Sequence, residues 1–222
     1  MKFKIKWNYQ NKNNIKTTFV SDWIESDSLL EMIEDLEKTG RVRELEFEDE
    51  TGLTWNKKEV NKILQKLEHE PDDITMFFDG SYQKETGEAG LGVVIYYKQG
   101  SEWVRERLNE RIDFLESNNE AEYAALHYAL KYITNLQVAN KKVTIKGDSQ
   151  GLLMQLLGEW PCYEENLNRW LDRIEKQVEK LHIYPAYELI SRNDNKEADQ
   201  LARQALHRIM INSKQKIGDI NR

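Results

Sequence analysis

Two kinds of hydrophobic period divide the chain. At the start, Phe3, Ile5, Trp7 and Tyr9 alternate with Lys2, Lys4, Lys6 and Asn8. A period of two marks a strand with one buried face. Residues 16–20 (KTTFV) read as its hairpin partner. From Asp27 to Lys38 the apolar Leu29, Leu30, Met32, Ile33 and Leu36 fall at helical spacing, with Gly40 as the stop. Alternation returns over 42–48 around Leu45 and Phe47, and Thr51-Gly52 supplies a turn. Residues 57–68 then carry Val60, Ile63, Leu64 and Leu67 on one helical face. The order over residues 1–70 is ββαβ(β)α, a small α/β accessory domain. The polar, proline-containing HEPDD that follows, between a helix and a strand, is the domain boundary.

From residue 74 the strands lengthen. ITMFF runs into Asp79-Gly80-Ser81, AGLGVVIYY follows a glycine-containing turn, and SEWVRERL reads as a third, antiparallel strand. A helix is predicted over about 118–136, a fourth strand over 142–147, and helices over 149–157 and 165–181. YPAYELI (184–190) is the fifth strand, and a last helix runs from Asn195 to about Met210. The reading is an α/β domain over 74–210, a mixed five-stranded sheet flanked by helices, with 211–222 as a tail.

Composition narrows the class. Among 222 residues, six Trp, ten Tyr and six Phe can fill a core, which excludes a disordered chain. No run approaches about 18 apolar residues, so no membrane span is expected. The alternating start lacks an apolar signal region. A single cysteine, Cys162, excludes a disulfide framework and a Cys-rich zinc site, and points to a reducing, cytoplasmic setting. The net charge of −7 argues against a basic nucleic-acid binder.

The acids themselves change that picture. Asp79 ends the most apolar strand, at the carboxyl end where ligands of α/β sheets collect; as an Asp-Gly pair it also reads as a turn starter. Ser117 and Glu120 have capping-box spacing, which leaves Glu122 without a structural role beyond an exposed first-turn acid. Asp148 stands at a strand-to-helix junction, where it could equally be an N-cap. Asp194 and Glu197 can box the last helix, leaving Asp199 spare or on a solvated face. Each structural alternative holds singly. Together, four carboxylates without a His or Cys cluster suit hard cations, Mg²⁺ or Mn²⁺, and two such ions can clamp an in-line phosphoryl displacement.

FFDGS (77–81), SNNEAEY (117–123), GDSQ (147–150) and NKEADQLA (195–202), in this order, resemble type 1 ribonuclease H over about residues 74 to 208. The resemblance implies the ribonuclease H fold and two-metal hydrolysis of the RNA strand of RNA–DNA hybrids, leaving 5′-phosphate and 3′-hydroxyl ends. It assigns Asp79, Glu122, Asp148 and Asp199 as catalytic metal ligands for two Mg²⁺ or Mn²⁺ ions, with no small-molecule cofactor. Asp79 would bridge both ions, Glu122 and Asp148 would hold the nucleophile-side ion, and Asp199 the other. It also implies substrate contacts from Gly80, Ser81, Asn118, Asn119 and Gln150. Amide side chains suit a 2′-hydroxyl, which both donates and accepts. Trp160 and Tyr163 would be DNA-strand contacts or hydrophobic cover under their loop, the second being the expectation.

The sequence departs from the family in two ways. Many members carry a His in the loop before the last helix; here that loop, ISRNDN (190–195), offers Arg192. Arginine cannot shuttle a proton, but it can hold a phosphate. The four histidines, His69, His127, His182 and His207, lie elsewhere and read as structural. A basic insert of some members is also missing: residues 158–166, GEWPCYEEN, are short and acidic. The competing class is therefore a catalytically weak or inactive ribonuclease H-like module that binds nucleic acid or protein. A DNA nuclease of the broader fold fits the Asn-Asn and Gln positions less well. For residues 1–70, Lys2, Lys4 and Lys6 on one strand face read as a solvated edge or a substrate grip; the partner of that domain is not legible.

Overall fold

The computed structural model of the chain describes residues 1–218; the side chains of Glu68 and His69 and the last four residues of the expected tail lie outside that description. Two compact units divide between His69 and Glu70.

The first unit is an antiparallel sheet with two helices. Strands β1 (Lys2–Gln10) and β2 (Lys16–Val20) form the hairpin, and a short β3 (Ile24–Glu25) leads into helix α1 (Ser26–Lys38). Then come β4 (Val42–Asp49), β5 (Thr54–Asn56) and helix α2 (Lys57–His69). The sheet order is β2-β1-β4-β5, with β3 also pairing β1. Period-two residues Phe3, Ile5, Leu45 and Phe47 meet Leu29, Ile33, Val60 and Leu64 in the core. Leu30 and Met32, expected on the inner stripe of α1, are exposed. At about 100° per residue the stripe is already filled by Leu29, Ile33 and Leu36. The lysine face of β1 is engaged within the unit: Lys2 pairs with Glu25 at 3.1 Å, Lys6 with Glu48 at 2.7 Å, and Lys4 lies over the Trp23 ring.

The second unit opens with three long antiparallel strands, β6 (Asp72–Gln83), β7 (Glu88–Gln99) and β8 (Glu102–Ile112). Helix α3 (Asn118–Ile133) and a 3₁₀ turn lead to β9 (Lys142–Gly147), α4 (Gln150–Leu156), α5 (Glu165–Leu181), β10 (Tyr184–Leu189), α6 (Lys196–Leu206) and β11 (Asn212–Ile217). The sheet order is β10-β9-β6-β7-β8-β11; β6–β9 and β9–β10 are parallel and the rest antiparallel. Alternate residues of β6 and β7 face two layers. Met76, Phe78, Val93 and Ile95 pack with α3, whereas Val94 packs with Ala198 and Leu201 of α6. A side-chain carbon at Gly92 would lie 2.1 Å from the Ala198 carbonyl oxygen, so glycine there lets α6 lie directly on β7.

The five expected strands are present, and a sixth adds to them. The segment expected as a tail forms β11, paired with β8 from Asn212↔Leu108 to Ile217↔Trp103. Helix α6 ends at Leu206, four residues before the expected limit. Arg208 takes φ 60°, its amide donates to the Ala205 carbonyl, and the Ile209 amide donates to the Gln204 carbonyl. This is a Schellman stop built without the glycine that would have announced it. Buried Asn109 then fixes the return: its Nδ2 donates to the Leu201 and Ile209 carbonyls, and its Oδ1 accepts from the Ile211 amide. Among the described residues no helix is long and apolar enough to cross a membrane.

Candidate active site

Asp79 lies within β6, which continues to Gln83, and does not end it as expected. The parallel partner β9 pairs only with Ile74–Phe77. Asp79 therefore emerges just past the carboxyl end of the parallel pair while β7 still supports it on the other side. Glu122 reaches it from the first turns of α3. Ser117 Oγ accepts the Glu120 amide, as the capping pattern predicts. The reciprocal bond differs, because the Glu120 carboxylate accepts from the Glu116 amide and from Trp170 Nε1. Asp148 follows directly on Gly147, the last residue of β9. It does not cap α4, whose N-cap Ser149 makes no side-chain bond.

Asp79, Glu122 and Asp148 bring one carboxylate oxygen each within 4.8 Å of one another. Asp79 and Glu122 are 6% and 8% exposed. Burial foremost, then the charges of Asp148 and Asp199, pushes the Asp79 carboxyl up from 3.8 to about 8. Burial, then Asp79 and Asp148, pushes Glu122 up from 4.5 to about 9, against a hydrogen bond from the Gly80 amide. Glu122 Oε2 is buried with no partner. The cluster is thus short of positive charge and of donors.

Asp199 stands apart. It lies in the first turn of α6 and its charge is felt at Asp79, but its carboxylate accepts from Arg203 Nε at 3.0 Å, and it is absent from the three-acid group. The expected box of Asp194 and Glu197 does not form. Asp194 accepts from Ser191 Oγ, while Glu197 accepts from Tyr96 and pairs with Arg107 at 2.9 Å. Arg192 is 91% exposed, and its Nε lies 3.4 Å from Asp148.

The predicted substrate residues fall into two groups. Asn118 and Asn119 lie in the first turn of α3, Gln150 is exposed at the start of α4, and Ser81 is half-buried on β6. Gly80 does something else. A side-chain carbon there would lie 2.2 Å from the Ala121 carbonyl carbon, so its missing side chain lets α3 bring Glu122 to Asp79. Trp160 and Tyr163 do not cover an apolar loop as expected, being 47% and 90% exposed. Sequence reasoning missed Asn195, which is buried and donates from Nδ2 to Asp148 Oδ1 and to the Phe78 carbonyl. It opens the NKEADQLA motif, a signal that could have marked it, but the polar residues around it give no sign of burial.

The reverse transcriptase-like family matches residues 77–205, a span that holds all four acids. The chain belongs to this ribonuclease H-like family. It is similar to the uncharacterized protein YpeP of Bacillus subtilis (strain 168), 46% identical over 200 residues, covering 90% of this chain and 88% of that protein. Those 200 residues exceed the length of the second unit, so the likeness extends into the first. Among solved structures, ribonuclease H1 of the halophilic archaeon Halobacterium salinarum NRC-1 superposes with a TM-score of 0.53 and 28% identity, covering 61% of this chain and 98% of that one. LC11-RNase H1, isolated from compost by a metagenomic approach and solved with an RNA/DNA hybrid, gives 0.52 and 25%, covering 61% and 98%.

Proposed function

We propose that the second unit is a divalent-metal-dependent endonuclease that hydrolyses the RNA strand of RNA–DNA hybrids, leaving 5′-phosphate and 3′-hydroxyl ends. One observation carries this reading: three carboxylates meet in a mostly buried place with too few donors, and Glu122 Oε2 has none. Packed acids repel unless a proton or a cation joins them, and it is the cation that lets all of them ionise. An all-oxygen donor set fits Mg²⁺ or Mn²⁺. Asp79, Glu122 and Asp148 would hold one ion, and Asp79 with Asp199 a second. Bound there, such ions supply an activated water and positive charge at the leaving 3′ oxygen.

The chain's own residues do the rest. The Asp199–Arg203 pair is an exposed i,i+4 contact worth about 0.3–0.5 kcal/mol, too little to keep Asp199 from a cation. Asn118, Asn119 and Gln150 present amides at the helix starts, suited to 2′-hydroxyls and base edges. Ser81 offers a hydroxyl close to Asp79 in the chain. Arg192, long and exposed, can leave Asp148 for a backbone phosphate. The lone thiol, Cys162, suits a cytoplasmic setting. We assign the first unit an accessory role in gripping substrate or partner.

The test is cleavage of a labelled RNA–DNA hybrid, with duplex RNA and duplex DNA as controls, in millimolar Mn²⁺. The hybrid should be cut, and EDTA or Asp79→Asn should stop it. An intact hybrid refutes the reading. The place of Asp199 outside the three-acid group favours a second reading, a non-catalytic binding module on the same fold. That module would bind hybrid without cutting it, and its melting temperature would not rise with Mn²⁺.

A further inference from the structure

Asn195 stands where three segments of the site meet. It is 2% exposed and immediately precedes α6. Its Nδ2 donates to Asp148 Oδ1 at 2.7 Å and to the carbonyl of Phe78, the residue before Asp79, at 2.9 Å. Its own carbonyl accepts the Asp199 amide at 3.1 Å. Both side-chain partners are acceptors, so only the NH₂ end of the amide can face them. The other end, Oδ1, is left buried without a partner.

That arrangement is unusual for a residue at a helix start. An Asn there ordinarily turns its side-chain oxygen to the amides of the first turn, and Asn195 makes no such cap bond. Both donors go instead to fixing a carboxylate and the strand beside it. Asp148 needs that restraint. Its other partner, Arg192, is 91% exposed and holds it weakly, so the buried amide of Asn195 is what fixes its direction.

We propose that Asn195 is the positioning residue of the carboxylate cluster: its amide aims Asp148 at Asp79 and Glu122, and so sets the affinity of the site for a divalent cation. The inference rests on the metal-dependent reading above. It predicts that cation binding, measured without substrate, depends on a side chain that is not itself a ligand.

Calorimetric titration of the full chain with Mn²⁺ tests it, with melting in EDTA recorded first. Asn195→Ala should melt cooperatively and bind Mn²⁺ about 10–100-fold more weakly than the wild type, the usual cost of losing a residue that orients a ligand. Asn195→Ser, which keeps a polar group but has a single proton to donate, should fall between. In an Asp148→Asn background, Asn195→Ala should cost less than about threefold, because the carboxylate it orients is gone. A residue that only supports the fold would lower the melting temperature and leave the Mn²⁺ affinity unchanged. That result, in the alanine variant or in the serine variant should alanine not fold, overturns the proposal. So does an equal loss in the Asp148→Asn background. A wild-type chain that binds no Mn²⁺ overturns the metal-dependent reading with it; a wild type that binds, beside a variant that binds as well, overturns the role of Asn195 alone.

Discussion

Replacing Asp79 by Asn should stabilise the metal-free protein while abolishing its proposed activity. Asp79 is 6% exposed, and its carboxyl is raised from 3.8 to about 8 by burial and by the charges of Asp148 and Asp199. A raised carboxyl binds its proton more tightly folded than unfolded. Folding stability is therefore highest below the unfolded value and is lost as pH rises from about 4 towards about 8. At pH 7 the group lies roughly three units above its unfolded value, and each unit is worth about 1.4 kcal/mol. The burden is thus at most about 4 kcal/mol. Relaxation of chain and water around the group brings the expected gain for Asn to about 1–3 kcal/mol. Urea denaturation in EDTA at about pH 4 and about pH 7.5, on either side of most of that window, measures it. The wild type should be less stable at the higher pH. The variant should gain there and little in acid, and Mn²⁺ should restore the wild type but not the variant. A variant no more stable than the wild type at the higher pH would mean that Asp79 carries no electrostatic burden, and a cation would have nothing to relieve.

Three further outcomes follow from named contacts. Gly80→Ala places a methyl 2.2 Å from the Ala121 backbone, so it should cost on the order of 3 kcal/mol in urea denaturation and, by moving α3, lower Mn²⁺ affinity as well. Lys214→Met should cost about 1–2 kcal/mol, because Lys214 lies 3.3 Å from the buried Glu106 carboxylate, which would then rely on the Tyr97 and Tyr132 hydroxyls; faster hydrogen exchange along β11 would localise the effect. Arg192→Ala should leave stability within about 0.5 kcal/mol of wild type, since the side chain is 91% exposed, yet raise KM for a hybrid several-fold; an unchanged KM would remove Arg192 from the substrate-binding residues.

Residue order alone made legible whatever repeats locally. The alternation of Phe3, Ile5, Trp7 and Tyr9, the capping spacing of Ser117 and Glu120, and the apolar run into Asp79 each write their element into neighbouring residues. Periodicity and turn chemistry act over a few residues, so the order of strands and helices could be read directly. The four acids could also be named: each has a structural alternative singly, but their short motifs, taken together and in order, resemble type 1 ribonuclease H. Which of them meet was settled by long-range packing. Asp79, Glu122 and Asp148 converge because Gly80 lets α3 close on β6 and because the pairing of β9 with β6 ends at Phe77. Asp199 turns to Arg203, and Asn195 is drawn out of a polar loop into a buried bridge. Strand β11 was hidden for the same reason. NSKQKI shows little apolar alternation, and it is a strand because Asn109, far back in the chain, catches the segment leaving α6. Burial, close approach and the partners of a polar side chain are properties of residues distant in sequence, and no local pattern encodes them.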